Sequence, residues 1–231
     1  NNNIAVKKIL KLSTIWLNKK KVSASDYAFH TEDKCNGKIL ILTRFSEKNI
    51  EGYIKTAYDN GIKGLIVDKH VPMKIVPDDL PIYVSKFLIN DLNIFLSNIY
   101  NKPLNGKKVI GVTGTDGKTS MIHLLAQSYI KLGKKVGVIS TEGSGIYPIL
   151  KKTSYTTPRN DLLFKFFNLF DKKSIDIILI ESSSQGLHQG RLNHIDFDIS
   201  LVTNITRDHL DYHKNYLNYI KSKCKLLNMT K

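Results

Sequence analysis

The run Val109-Ile110-Gly111-Val112-Thr113-Gly114-Thr115-Asp116-Gly117-Lys118-Thr119-Ser120 constrains this chain more than any other segment. Val109 to Val112 reads as a short strand. Thr119 to Leu132 reads as a helix, apolar at Ile122, Leu125 and Ile130 and closed by Gly133. A strand, a Gly-x-x-Gly-Lys-Thr-Ser turn and a helix in that order predict a phosphate-binding loop. Gly114 and Gly117 lack a Cβ, so backbone N–H groups can close on phosphate oxygens, and the helix N-terminus adds positive dipole character. Lys118 can reach β- and γ-phosphates, and the Thr119 hydroxyl can ligate Mg²⁺. The generic spacing wants glycine at position 112, where this chain has Val112.

The rest of the chain alternates in the same βα rhythm. Ile39 to Leu42, Gly64 to Asp68 and Ile82 to Val84 are strand candidates, with helical spacing through Ile54 and Ala57 and from Asn90 to Tyr100. Asn101 to Gly106 reads as a linker. After the phosphate loop come strand candidates Val136 to Ile139, Ile175 to Ile180 and Ile199 to Val202, and a helix from Leu162 to Phe170. The expected fold class is α/β: a small N-terminal α/β domain over 1–104, followed by a P-loop-type central domain with a mostly parallel sheet over 105–231. A length of 231 residues with 42% hydrophobic content suits one or two such domains.

Two further clusters fall where a parallel sheet binds ligands, beyond the carboxyl ends of its strands. Glu181 closes the strand ending at Ile180 and opens Glu181-Ser182-Ser183-Ser184-Gln185-Gly186, placing a carboxylate beside the phosphate loop as a second Mg²⁺ ligand. The strand ending at Val202 leads into Thr203-Asn204-Ile205-Thr206-Arg207-Asp208-His209-Leu210-Asp211-Tyr212-His213, where His209 can serve as a metal ligand or as a polar anchor.

The 35 Lys and Arg against 20 Asp and Glu give a net charge of +15. The lysines are scattered with Asn and Ile along the whole length, and no recognition-helix, RRM or zinc-finger pattern accompanies them, so specific nucleic-acid binding is not expected. Two cysteines encode no disulfide framework and point to a reducing, cytoplasmic setting. No apolar run approaches the ~18 residues of a membrane span, so membrane insertion is not expected. The chain starts at Asn1 and ends at Lys231 within a lysine-rich stretch, which suggests a processed, tagged or truncated product.

Taken together, Gly111 to Thr119, then Thr156-Thr157-Pro158, then Glu181-Ser182-Ser183-Ser184-Gln185-Gly186-Leu187-His188-Gln189-Gly190-Arg191, then Thr203-Asn204 through His213, resemble the Mur ligases, with Tyr100-Asn101-Lys102-Pro103 adding to the match. The Gln-Gly-Arg and Arg-Asp-His-Leu-Asp-Tyr-His pieces favour the MurE branch. The resemblance implies an ATP-dependent amide ligase that adds a diamino acid, L-lysine or meso-diaminopimelate, to UDP-MurNAc-L-Ala-D-Glu, and a monomer is expected. It implies that Gly114, Thr115, Asp116, Gly117, Lys118, Thr119 and Ser120 cradle ATP. Thr119 and Glu181 would hold one Mg²⁺, and His209 would help hold a second. Tyr155, Thr156, Thr157, Ser183, Gln189 and Arg191 would grip the UDP-MurNAc-dipeptide. The family has a carbamylated lysine in the helix after the His motif. Lys223 falls at that spacing, with Lys221 and Lys225 as the alternatives, and a carbamate there would ligate Mg²⁺. Lys118, His209 and Lys223 are thus the expected catalytic set.

The N-terminal half departs from the family. Where an Asp-Ser-Arg sequence usually lies near uridine, this chain has His30-Thr31-Glu32, so Thr31 would have to replace the serine hydroxyl. Ser182 stands where valine is common. The chain also stops soon after Lys223, so it is expected to carry only part of the central domain. The alternatives are a paralogous ligase outside the main wall pathway and a chain that only binds nucleotide.

Overall fold

Residues 1–100 and 101–231 form separate units, divided just ahead of the boundary expected at residue 104. The structure, a computed structural model, describes residues 2–31, 33–43 and 49–231; Glu32 lies outside the described residues.

The first unit opens with a helix that the sequence pattern did not reveal, α1 (Asn2–Trp16). Val6, Ile9 and Ser13 are buried along one side of it, and Ser13 Oγ donates to the Ile9 carbonyl at 2.8 Å. Then follow β1 (Tyr27–Ala28), β2 (Ile39–Leu42), α2 (Ile50–Asp59), β3 (Gly64–Val67), β4 (Ile82–Val84) and α3 (Leu88–Ile99). The four strands pair in sequence order, all parallel. Every residue of β2 and β3 is buried, the pattern of strands covered on both faces. The Trp16 indole lies directly on Gly64, where any β-carbon would overlap the ring. Tyr27 meets Phe95 edge to face at 5.0 Å.

The second unit runs β5 (Lys108–Thr113), α4 (Lys118–Lys131), β6 (Val136–Ser140), β7 (Gly143–Ile146), β8 (Ile149–Lys151), α5 (Asn160–Lys172), β9 (Ile177–Glu181), α6 (Ser184–His188), β10 (Ile199–Val202), α7 (Leu210–His213) and α8 (Tyr216–Cys224). Its sheet has the order β10-β5-β9-β6-β7-β8. The first three pairings are parallel, as expected, and the last two are antiparallel. The β7–β8 hairpin was not expected. Ile122 and Ala126 of α4 and Leu163, Phe164, Phe167 and Phe170 of α5 are buried. Each such large side chain contributes about 1.5–3 kcal/mol through its burial. Phe170 lies against Gly137 of β6. This packing fixes the sheet so that β5, β6, β9 and β10 end together, and the loops leaving those ends form the crevice in which ligands bind in such sheets.

Candidate functional site

The phosphate loop spans the four residues between β5 and α4. Gly117 caps α4 with φ +75°, and Gly114 sits at φ +153°, both conformations that L-residues rarely adopt. A β-carbon on Gly114 would overlap Thr203 Oγ1, so the glycine also admits the neighbouring chain. That chain, just beyond β10, holds the loop from outside. Thr203 Oγ1 donates to the Asp116 carbonyl at 2.6 Å, and Thr115 N–H donates to the Asn204 carbonyl at 2.9 Å. The Asn204 amide accepts from Asp116 N–H at 3.0 Å and donates back to its carbonyl at 3.2 Å. The Thr115 hydroxyl pairs with Tyr219 Oη at 2.8 Å and accepts from Thr206 N–H at 2.9 Å. Lys118 folds over the loop, its Nζ donating to the carbonyls of Gly114 (3.0 Å) and Thr115 (2.6 Å). Ser120 is exposed on the first turn of α4.

Beside the loop, the last residue of β9 supplies a buried carboxylate. Glu181 is 2% exposed. Its Oε2 accepts from Thr119 Oγ1 at 3.0 Å and from Thr141 N–H at 2.9 Å, while its Oε1 accepts from Thr141 Oγ1 at 3.1 Å. Thr141 Oγ1 also lies 2.9 Å from Thr156 Oγ1, which carries the network toward the residues expected to grip substrate.

Those residues are brought together. Thr157 Oγ1 donates to the Glu181 carbonyl at 2.8 Å and lies 3.1 Å from Ser183 Oγ. Ser183 in turn caps α6 by accepting from Gly186 N–H at 3.1 Å. Arg191 gives its Nε and Nη2 to Gln189 Oε1 at 3.0 and 2.7 Å and its Nη1 to the Thr157 carbonyl at 2.6 Å. The half-exposed Tyr155 ring stacks on the guanidinium at 4.9 Å. A ligand therefore meets an arginine whose plane is already fixed, with one edge of its fork engaged by Gln189. Thr31 belongs to the first unit, in the turn after β1, where its carbonyl faces Cys35 Sγ at 3.8 Å.

His209 begins α7 in a left-handed conformation, φ +50°, with its side chain 45% exposed and 3.4 Å from Asp208. Of the three lysines weighed for the helix after it, Lys223 is 2% exposed, Lys221 is exposed and Lys225 falls at the helix end. The Lys223 ammonium lies 4.5 Å above the Tyr219 ring and donates to the Gly114 carbonyl. Burial, helped by the charge of Lys118, holds its pKa down to about 8. Protonated, this nitrogen is a donor to the loop and not a metal ligand. His213, four residues after His209, turns inward and is buried, which keeps its imidazole neutral to lower pH than usual.

Lys118, Glu181, Thr156, Arg191, His209 and Lys223 all line one open cleft of about 450 Å³. Glu181 makes no ion pair among the described residues. The hydroxyl of Thr119 and this uncompensated carboxylate are hard oxygen donors 3.0 Å apart, a pair that fits Mg²⁺. No group of three or more His, Cys, Asp or Glu side chains that could hold a metal forms among the described residues. Any cation here would therefore complete its shell with ligand oxygens and water.

Residues not assigned from sequence also shape the site. Thr141 could have been found, because it is the first residue beyond β6 at the carboxyl end of a parallel strand. Thr203 and Asn204 follow the same rule at β10. Tyr219, which is fully buried and reaches Thr115 from α8, has no local signal in the sequence.

The family described as the Mur ligase middle domain matches residues 112–231. A UDP-N-acetylmuramoyl-L-alanyl-D-glutamate–2,6-diaminopimelate ligase from Wigglesworthia glossinidia brevipalpis is 36% identical over 220 residues, covering 94% of this chain and 42% of the relative. The ligase of the same name from Buchnera aphidicola subsp. Schizaphis graminum is 39% identical over 146 residues, covering 63% of this chain and 29% of the relative. A solved structure of a ligase of that name superposes with a TM-score of 0.74 at 26% identity, covering 89% of this chain and 41% of the other. The chain thus spans less than half the length of each of these proteins. With over half its length matched to that domain, and with the phosphate loop, the Glu181 carboxylate and the Arg191 cluster facing one cleft, the chain belongs to the Mur ligase family.

Proposed function

We propose that this chain carries the nucleotide and sugar-nucleotide sites of an ATP-dependent amide ligase that joins a diamino acid to UDP-MurNAc-L-Ala-D-Glu. The names of the matched relatives favour 2,6-diaminopimelate as the diamino acid. The observation that carries this reading is one cleft lined by two chemically distinct sets of residues. Lys118, which follows the phosphate loop and folds over it, makes one of them, and Arg191, Gln189 and Thr157 make the other.

In this reaction the γ-phosphoryl group of ATP passes to an oxygen of the D-Glu carboxylate, giving an acyl phosphate and ADP. The amine of the diamino acid then attacks the acyl carbon, the amide bond forms, and phosphate leaves with the C–O bond electrons. The protein does little covalent chemistry, so alignment dominates. Lys118 leaves the loop carbonyls to meet the phosphates, and the backbone N–H groups at the start of α4, beyond those of Thr115 and Asp116 that Asn204 already binds, meet their oxygens. Mg²⁺ held by Thr119 and Glu181 would supply charge neutralisation at the transferring group. Arg191, fixed by Gln189 and Thr157, orients the acceptor. Lys223, as a carbamate, would join His209 at a second cation. In this reading the chain acts as a monomer in the cytoplasm, without nucleic acid and without membrane insertion. No helix among the described residues is long and apolar enough to cross a membrane.

Calorimetry of the chain with Mg-ATP and, separately, with UDP-MurNAc-L-Ala-D-Glu tests the proposal. Binding of both supports it. Binding of Mg-ATP alone identifies a nucleotide-binding chain of different specificity and overturns the substrate assignment.

A further inference from the structure

Arg191, Gln189, Tyr212 and His188 form a chain of hydrogen bonds, and chemistry sets the direction of the links from Arg191 to Tyr212. A guanidinium only donates, so the Gln189 atom facing Arg191 Nε and Nη2 must be its oxygen. The amide nitrogen of Gln189 then faces Tyr212 Oη, 3.0 Å away, and donates to it. Tyr212 Oη also pairs with His188 Nδ1 at 3.1 Å, where the imidazole tautomer decides which of the two donates. The Gln189 amide is thus held at its oxygen by Arg191 and at its nitrogen by Tyr212, and it cannot rotate without breaking bonds at both ends.

We propose that Tyr212 is a positioning residue that, through the Gln189 amide, holds the Arg191 guanidinium in the pose that receives the sugar nucleotide. The inference rests on the function proposed above. Among the described residues no hydrogen bond links Tyr212 to the phosphate loop or to Glu181. It lies in α7, three residues after His209, and its side chain reaches back to His188 at the end of α6 and to Gln189 just beyond it. The ring is 36% exposed and meets the His188 and His213 rings edge to face at 5.5 and 4.7 Å. Removing only the hydroxyl leaves this packing in place. The phenol oxygen of Tyr212 thus bridges the His-containing segment beyond β10 and the Gln-Gly-Arg segment beyond β9 by hydrogen bonds.

The test is a double-mutant cycle with Tyr212→Phe and Gln189→Leu, read by calorimetry against UDP-MurNAc-L-Ala-D-Glu and against Mg-ATP. Tyr212→Phe is expected to weaken sugar-nucleotide binding about fivefold, the loss of one ordinary hydrogen bond, with Mg-ATP affinity and melting temperature unchanged. In the Gln189→Leu background, Tyr212→Phe is expected to cost nothing further, because the relay is already broken. Equal sugar-nucleotide affinity in wild type and Tyr212→Phe overturns the proposal, and so do losses that add. A parallel fall in Mg-ATP affinity and melting temperature also overturns it, because a general structural role moves all three. A wild-type chain without sugar-nucleotide affinity instead removes the functional reading beneath it.

Discussion

Thr141 meets both oxygens of the Glu181 carboxylate, its backbone N–H donating to Oε2 at 2.9 Å and its hydroxyl to Oε1 at 3.1 Å. This bidentate hold orients a buried anion toward the cleft, and it comes from a residue 40 positions away in sequence. Thr141→Val keeps the shape and the backbone donor but removes the hydroxyl. A hydrogen bond to a charged group contributes about 1.5–3 kcal/mol, so Mg-ATP affinity should fall about tenfold or more, while Thr141→Ser stays near wild type. Titration calorimetry checks this, and unchanged affinity in Thr141→Val would show that Thr119 and the backbone suffice.

Among the described residues Lys118 donates to the carbonyls of Gly114 and Thr115, and its side chain is half-buried at the cleft. Lys118→Ala should therefore leave the melting temperature within a few degrees of wild type. Its loss from the phosphate site removes two charge-assisted contacts, and ATP affinity should drop about a hundredfold. ATP affinity equal to wild type would refute the phosphate-loop reading.

The buried Lys223 amine, with its pKa near 8, keeps a neutral fraction at physiological pH that can add CO₂ and release a proton, forming a carbamate. With ¹³C-bicarbonate, NMR should show a carbamate carbon in the wild type and in Lys221→Met, and none in Lys223→Met. A signal that survives in Lys223→Met would assign the modification to another lysine.

Tyr27 is buried in the first unit, with no hydrogen-bond partner for its hydroxyl among the described residues. Burial pushes its pKa above the ordinary tyrosine range. In the unfolded chain the phenol ionises near pH 10, whereas in the folded chain it keeps its proton. Above about pH 10 the folded state thus binds more protons, and stability falls by about 1.4 kcal/mol per pH unit. The gap between the urea midpoints of wild type and Tyr27→Phe should therefore widen in favour of Tyr27→Phe between pH 9 and 11.

The parallel strands were legible because continuous apolar runs such as Ile177–Ile180 are the mark of strands covered on both faces. Glu181 and the phosphate loop were legible because strand ends carry ligands in such sheets. α1 was hidden by its lysines: among the described side chains Val6, Ile9 and Ser13 mark its inner side, and one of these is polar. β7 was hidden because Gly143-Ser144-Gly145 carries no alternation of apolar and polar residues. Tyr219 and Tyr212 act through contacts 104 and 23 residues away, set by how α7 and α8 pack, and no local spacing encodes that.

The register of β10, β5, β9 and β6 has a consequence for the order in which the chain acquires competence. The loop residue Asp116 is bound by Asn204, 88 positions later, and Thr119 meets Glu181, 62 positions later. During synthesis the loop emerges long before either partner, so its shape is held only after the last of these strands has joined the sheet. Long-range parallel pairing is slow relative to local helix formation. Nucleotide affinity should thus arise in one late step, and a nascent chain ending before β10 would carry the whole Gly114–Thr119 sequence without its function.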